Sequence, residues 1–280
     1  MTTLAAPRIF HPDALEPFRR DGFYVGRGLL EAAEVTALRD AFMEQGKNGP
    51  VEGLSEYKRQ NGRIYDPSDP LAFYPRMMHP HHHPHLLVGQ LAMRCMIHPR
   101  IYGYLCDFFG EEPAAVQSMF YFKPPGARGQ DLHQDNFYLR VKPGTCIAAW
   151  MAVDDADSGN GGMVVVPGSN KLDIVCPTEA DRTRFFTDHH VDIPAGMKEM
   201  PVSLKAGDVL FFNGSLIHGS YTNTSKDRFR RALICHYAPA ASLELSPGYI
   251  NPTLFNGRIH PIPPALGGGP CGNAQPARLH

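Results

Sequence analysis

Eight short runs of β-type residues between Val116 and Tyr237, separated by turn signals, predict a mainly β fold with flanking helices and a double-sheet jelly-roll core. Two further observations agree. Apolar residues in the first 110 positions recur at helical spacing, and 280 residues suit one such core of about 200 to 250 residues with decorated ends. At 43% hydrophobic and 20% charged, the chain has the composition of a globular protein with a sizeable core.

Residues 1–12 show little periodicity and are expected at the surface. Glu16 to Arg20 reads as a short helix stopped by Asp21-Gly22, followed by a strand over Phe23 to Val25. Glu31 to Gln45 places Val35, Leu38 and Phe42 on one helical face, and Gly46 ends that helix. Residues 47–85 lack a period and are rich in Gly, Pro and charge, which suits a lid or flank. That segment closes in His79-Pro-His-His-His-Pro-His85. Its prolines impose an extended, irregular backbone, so the imidazoles are not expected to converge on a metal. Leu86 to Cys95 and Pro99 to Phe109 read as apolar helices packed outside a sheet, the second stopped by Gly110.

The β runs are Val116 to Phe122, Leu132 to Leu139, Cys146 to Val153, Met163 to Val166, Met200 to Leu204, Val209 to Phe212, Leu216 to Tyr221 and Arg230 to Tyr237. Turn signals such as Lys142-Pro-Gly144, Asn160-Gly-Gly162 and Asn213-Gly214 separate them. The polar interval 170–199 reads as an insertion over one mouth of the barrel. Residues 263–280 hold too little apolar content to pack and are expected to form a mobile tail, which makes 1–262 one domain with lid insertions at about 47–85 and 170–199.

A formal net charge of −1 and the lack of a long basic run exclude nucleic acid and an anionic membrane surface as expected partners. The longest apolar stretch, Cys146 to Val153, is far too short to span a bilayer. The amino terminus lacks a charged start followed by an apolar core, so a cytoplasmic location is expected. Cys95, Cys106, Cys146, Cys176, Cys235 and Cys271 form no Cys-x-x-Cys pair and are expected to be reduced. Nothing in the sequence fixes an oligomeric state.

The chemistry centres on His133-Gln-Asp135. If the run is a strand, residues two apart share a face, so an imidazole and a carboxylate reach one ion together. His-x-Asp alone is common by chance, but His218, within Phe211-Phe-Asn-Gly-Ser-Leu-Ile-His-Gly-Ser220, supplies a second imidazole. Two histidines and one carboxylate on neighbouring strands form the facial triad that leaves three positions of a ferrous ion open. Three arginines follow, Arg228, Arg230 and Arg231, of which strand parity puts the first two on one face and Arg231 on the other.

These motifs taken in order, with Lys123-Pro-Pro-Gly126, Asn160-Gly-Gly-Met-Val-Val-Val-Pro-Gly-Ser169, Gly207-Asp-Val-Leu-Phe-Phe212 and Arg230-Arg-Ala232, resemble the phytanoyl-CoA dioxygenase family of iron(II)- and 2-oxoglutarate-dependent oxygenases. The resemblance runs from Phe18 to Pro239 and is weakest at 47–85 and in the tail. It implies a distorted, cupin-like double-stranded β-helix with iron held by His133, Asp135 and His218. It favours Arg230 as the anchor of the far carboxylate of 2-oxoglutarate, a task suited to a planar two-pronged donor. Ser220, two residues after His218, is implied as a second donor to that carboxylate. Trp150, otherwise a core aromatic, is implied as a wall of the co-substrate pocket, and Gln117 and Tyr121, four apart on one strand face, as its neighbours.

The implied reaction hydroxylates an aliphatic carbon of a small-molecule metabolite, consuming O2 and 2-oxoglutarate and releasing succinate and CO2. A cupin-like isomerase or hydrolase would use the same ligands without needing the arginine, and a non-catalytic jelly-roll binding protein would need neither. The candidate lid balances Lys58, Arg59, Arg63 and Arg76 against Glu52, Glu56, Asp66 and Asp69, and adds apolar Leu71, Phe73, Tyr74, Met77 and Met78. A free metabolite is therefore expected in preference to a polyanionic acyl-CoA.

Overall fold

The inward and outward residues of one strand, β5 (Ile147–Ala152), show how this fold divides its core. Ile147, Ala149 and Met151 enter a cluster shared with helices, whereas Ala148, Trp150 and Ala152 enter a second cluster between two sheets. That two-faced burial explains why the run is apolar throughout instead of alternating. The computed structural model describes residues 10–56, 74–266 and 268–272.

The larger sheet has the order β1 (Phe23–Gly26), β10 (Val209–Asn213), β5, β12 (Ala232–Pro239), β3 (Pro113–Tyr121) and β13 (Thr253–Leu254), with β2 (Met77–Met78) also pairing β3. The smaller sheet runs β4 (Gln130–His133), β11 (His218–Ser220), β6 (Met163–Val165) and β9 (Met200–Val202). Every pairing in both sheets is antiparallel. This is the expected jelly roll. The helix-side cluster packs α2 (Ala32–Lys47) and α3 (Leu87–Met96), with α4 (Pro99–Phe109), on the outer face of the larger sheet through Leu38, Phe42, Met96, Ile101 and Leu105. Glu31 and Glu34 form a capping box that starts α2, and Gly110, at φ 76°, closes α4 in the left-handed conformation that glycine adopts freely. The first helix, α1 (Pro12–Asp21), is longer than the expected one and stops at Gly22 as its turn pair implies.

Several expectations need correction, among them Gly46 as a helix stop, since α2 runs through it to Lys47. The run Leu132 to Leu139 is not one strand: β4 ends at His133, and Asn136–Leu139 forms a short helix, α5. Partner β11 pairs His133 only through His218, and the Asn136 N–H bonds the Gly214 carbonyl in the turn before it, so the ladder has run out and local bonding takes over. The segment Arg228 to Arg231 lies before β12, so parity does not govern its side chains. Cys176 and Cys271 are joined in a disulfide, because folding brings together two residues 95 positions apart, while Cys95, Cys106, Cys146 and Cys235 are buried and form no disulfide among the described residues. The tail expected to be mobile from residue 263 is held as far as 272 by that disulfide, by the Ala265 N–H on the Leu245 carbonyl, and by Arg140 donating to the Gly268 carbonyl. Residues 273–280 lie outside the described residues.

The insertion 170–199 holds a small hairpin, β7 (Thr178–Glu179) with β8 (His189–His190), and lies along β4 through Val191 N–H to the Leu132 carbonyl and Phe186 N–H to the Gly129 carbonyl. The two ends of the other segment pair with each other, Ser55 opposite Met77, and Met78 N–H donates to the Leu54 carbonyl. Lys58, Arg59, Arg63, Asp66, Asp69, Leu71 and Phe73 fall outside the described residues.

Candidate active site

His133 and His218 face each other across the register of β4 and β11, with ring centroids 4.2 Å apart. Asp135 reaches the same point by a different route. It has helical backbone angles (φ −63°, ψ −35°) at the start of α5, where its carbonyl accepts the Tyr138 and Leu139 N–H groups. A helical turn, not strand alternation, therefore presents the carboxylate. One ligating atom from each of the three lies within 4.8 Å of the others, and all three residues are buried.

The tautomers follow from local bonding. His133 Nδ1 lies 2.8 Å from the Asp131 carbonyl and His218 Nδ1 lies 2.9 Å from the Leu216 carbonyl. A carbonyl only accepts, so each Nδ1 carries the proton and each Nε2 keeps its lone pair. Both Nε2 atoms point at Asp135 Oδ1, at 3.4 and 3.6 Å, and Gln130 Nε2 lies 3.1 Å from that of His133. Burial pushes His218 down to about 4 against the opposing pull of Asp135, so its imidazole is neutral at pH 7. Burial alone would raise Asp135, but its electrostatic coupling to the imidazoles of His218 and His236 and the hydrogen bond from His236 hold it well below the usual carboxylate range. Two neutral nitrogens and a carboxylate suit a borderline divalent ion such as iron(II).

His236, on β12, donates from Nε2 to Asp135 Oδ2 at 2.8 Å. It orients the carboxylate from the larger sheet so that Oδ1 faces the imidazoles. The sequence held this residue in plain view, but only its placement opposite Asp135 gives it a role.

The walls of the pocket include Met119, Tyr121, Trp150, Phe212, Ile234 and Arg230. Arg230 is 3% exposed, its guanidinium lies 5.2 Å from the Trp150 ring centroid, and Nε donates to the Gly161 carbonyl at 2.9 Å. Its Nη1 is buried without a hydrogen-bond partner, and no carboxylate among the described residues forms an ion pair with it. Burial lowers its pKa to about 10, which leaves it charged at neutral pH. The other two arginines are spoken for: Arg228 forks onto Asp157 at the surface and Arg231 onto Asp154.

Ser220 also lines this pocket, and its Oγ accepts Lys123 Nζ at 2.9 Å and the Gln130 N–H at 3.2 Å, which leaves its own hydrogen to donate elsewhere. Lys123 is fully buried, and burial followed by the nearby Arg230 charge lowers its pKa well below that of a free lysine. Gly161 explains the Asn160-Gly-Gly162 motif. At φ 85° it turns its carbonyl to both Arg230 and Lys123, and a Cβ there would meet the Lys123 side chain at 2.6 Å. Gln117 is buried on β3 opposite His236, one step beyond the pocket walls, which that strand supplies through Met119 and Tyr121. A larger cleft of about 600 Å³, lined by Leu132, Val164, Ile193 and Tyr221, shares only Gln130 and Ser220 with this pocket and contains none of the triad.

A family model described as phytanoyl-CoA dioxygenase (PhyH) matches residues 18–232. Phytanoyl-CoA dioxygenase 1 of Oryza sativa subsp. japonica is 36% identical over 141 residues, covering 49% of this chain and 48% of the relative. The peroxisomal phytanoyl-CoA dioxygenase of Homo sapiens is 32% identical over 152 residues, covering 51% and 44%. The chain spans about half the length of the curated relatives it matches. Among solved structures, the non-heme monooxygenase ThoJ superposes with a TM-score of 0.64 at 20% identity over 91% of this chain and 88% of its own. The epimerase SnoN, in complex with Fe3+, alpha-ketoglutarate and nogalamycin RO, superposes with a TM-score of 0.62 at 21% identity over 82% and 84%. These two likenesses establish the shared fold. No helix of the described residues is long and apolar enough to cross a membrane.

Proposed function

Because this chain belongs to the phytanoyl-CoA dioxygenase (PhyH) family, we propose that it is an iron(II)- and 2-oxoglutarate-dependent dioxygenase that hydroxylates an aliphatic carbon of a small-molecule metabolite. The observation that carries the reading is Arg230: a buried cation with an unpartnered Nη1, beside a His-Asp-His triad, calls for an exogenous anion. A metal-dependent isomerase or a binding protein gives no reason to maintain it.

Bound iron(II) and 2-oxoglutarate supply the oxidising chemistry, in which O2 and the 2-oxo acid yield succinate and CO2 and one oxygen atom enters a C–H bond of the substrate. His133, Asp135 and His218 hold the metal through Nε2, Oδ1 and Nε2, and His236 keeps Oδ1 turned toward it. Arg230 and the Ser220 hydroxyl bind the far carboxylate of the co-substrate, and Trp150 and Tyr121 wall its carbon chain. The apolar faces of Met119, Phe212 and Ile234 exclude water from the reacting centre.

For the substrate we favour a free metabolite over an acyl-CoA, since Arg76, alone of Lys58, Arg59, Arg63 and Arg76 among the described residues, is buried against Glu56 and not available to phosphate. The reading assigns the enzyme to the cytoplasm, whereas some relatives are named peroxisomal, so cell fractionation decides the compartment. Purified protein with iron(II), ascorbate and 2-oxoglutarate should form succinate, and a substrate panel of free metabolites, free acids and acyl-CoA thioesters should stimulate it. Absence of succinate from folded, iron-loaded protein across the panel refutes the oxygenase reading, and stimulation confined to thioesters refutes the substrate class.

A further inference from the structure

The run His79-Pro-His-His-His-Pro-His85 does not stay extended. Pro80–His82 forms a 3-10 turn, entered from His79 in a left-handed conformation (φ 50°, ψ 44°), and the His82 N–H closes it on the His79 carbonyl at 2.9 Å. We propose that His79, His81 and His82 form a second metal site, for a divalent ion of the zinc class, distinct from the triad.

The convergence is specific. One ring nitrogen from each of the three lies within 4.8 Å of the other two, whereas His83 and His85 contribute none. His79 Nδ1 is buried with no hydrogen-bond partner, a cost that a metal bond would remove. His81 Nδ1 lies 2.7 Å from Ser118 Oγ on β3, and a ring that donates there keeps an unprotonated Nε2. His82 is exposed and gives an ion a route in from solvent.

The turn is also docked on two elements. The His79 N–H bonds the Ser118 carbonyl at 2.8 Å, and a Cβ on Gly89 of α3 would stand 2.0 Å from the His83 carbonyl oxygen, so the turn sits directly on that helix. Three imidazoles without a carboxylate select borderline ions such as Zn2+ or Co2+ over Mg2+ and Ca2+, and leave one tetrahedral position open. The ion would lock the turn against β3, whose Ser118 is followed by the pocket residues Met119 and Tyr121.

The competing outcome is loose capture by an exposed histidine run. Untagged protein prepared without metal resin should be titrated with Co2+, with stoichiometry read by mass spectrometry of dialysed samples and geometry by visible absorption. In a His133→Ala/His218→Ala background, which removes the first site, we expect a tetrahedral cobalt spectrum. That spectrum should be lost, and affinity should fall by about tenfold or more, on adding His82→Asn or His81→Asn, because each removes one of three ligands. His83→Asn/His85→Asn should change neither. His82 is exposed, so its variant tests the site without a folding penalty, and unchanged melting in chelator verifies this. Equal losses from the His83 and His85 pair, or a cobalt spectrum unaffected by His82→Asn, overturn the proposal.

Discussion

Replacing Arg230 tests the site most directly, because the structure separates its effect on co-substrate from its effect on the fold. Arg230→Met removes the charge and its fork while keeping much of the stem that packs against Trp150. Gly161, which loses the Nε bond, still accepts Lys123 Nζ at 3.3 Å. Uncharged Met also relieves a buried guanidinium that pairs with no carboxylate among the described residues, so the melting temperature of ligand-free protein should hold or rise. Co-substrate binding should suffer. A charge-assisted bond is worth about 1.5 to 3 kcal/mol, which at about 1.4 kcal/mol per decade weakens 2-oxoglutarate by roughly tenfold to 150-fold.

The two effects separate in a thermal-shift assay under anaerobic conditions. At a concentration of about 100 Kd the co-substrate stabilises wild-type protein by about 2.7 kcal/mol. With Kd raised about 100-fold, the same concentration gives only about 0.4 kcal/mol. Arg228→Ala and Arg231→Ala, whose guanidinium groups serve Asp157 and Asp154 and do not line the pocket, should leave Kd within about twofold. An undiminished shift in Arg230→Met, or a larger loss in either neighbour, refutes the assignment.

His133→Ala, Asp135→Ala and His218→Ala should each abolish iron retention or succinate formation with near-native circular dichroism; near wild-type turnover in one removes that residue from the triad. His236→Phe should weaken iron by about 10- to 100-fold, the usual cost of losing a partner that orients a ligand, and equilibrium dialysis measures it. Cys176→Ser, or reductant, should release the chain around 261–272 to limited proteolysis while the core stays resistant. His190 gives a pH signature. Burial opposes its charge, but hydrogen bonds and charges from Asp131 and Asp192 prevail and raise its pKa above that of a free histidine. The stability this contributes is complete below about pH 6.5 and is lost as pH rises through the raised folded value. In His190→Gln that fall in melting temperature should disappear, and an unchanged profile refutes the link.

Periodicity and residue type determined much of this protein. Short runs of β-type residues between turn signals gave the two sheets, and helical apolar spacing gave the outer helices, because both are local properties of the sequence. The residue types at His133, Asp135, His218 and Arg230 narrowed the chemistry before any coordinates, since few metals and anions suit that set. Tertiary structure decided the rest. Asp135 meets the imidazoles from a helical turn where its strand has lost its partner, and Arg230 is distinguished from Arg228 and Arg231 by which carboxylates lie nearby, not by parity. His236 acquires its role across 101 residues of chain, and Cys176 finds Cys271 across 95. The histidine run converges because a left-handed residue and a 3-10 turn dock on β3 and α3. Sequence spacing specifies which face a side chain takes within one element; which distant group it then meets depends on how the elements pack.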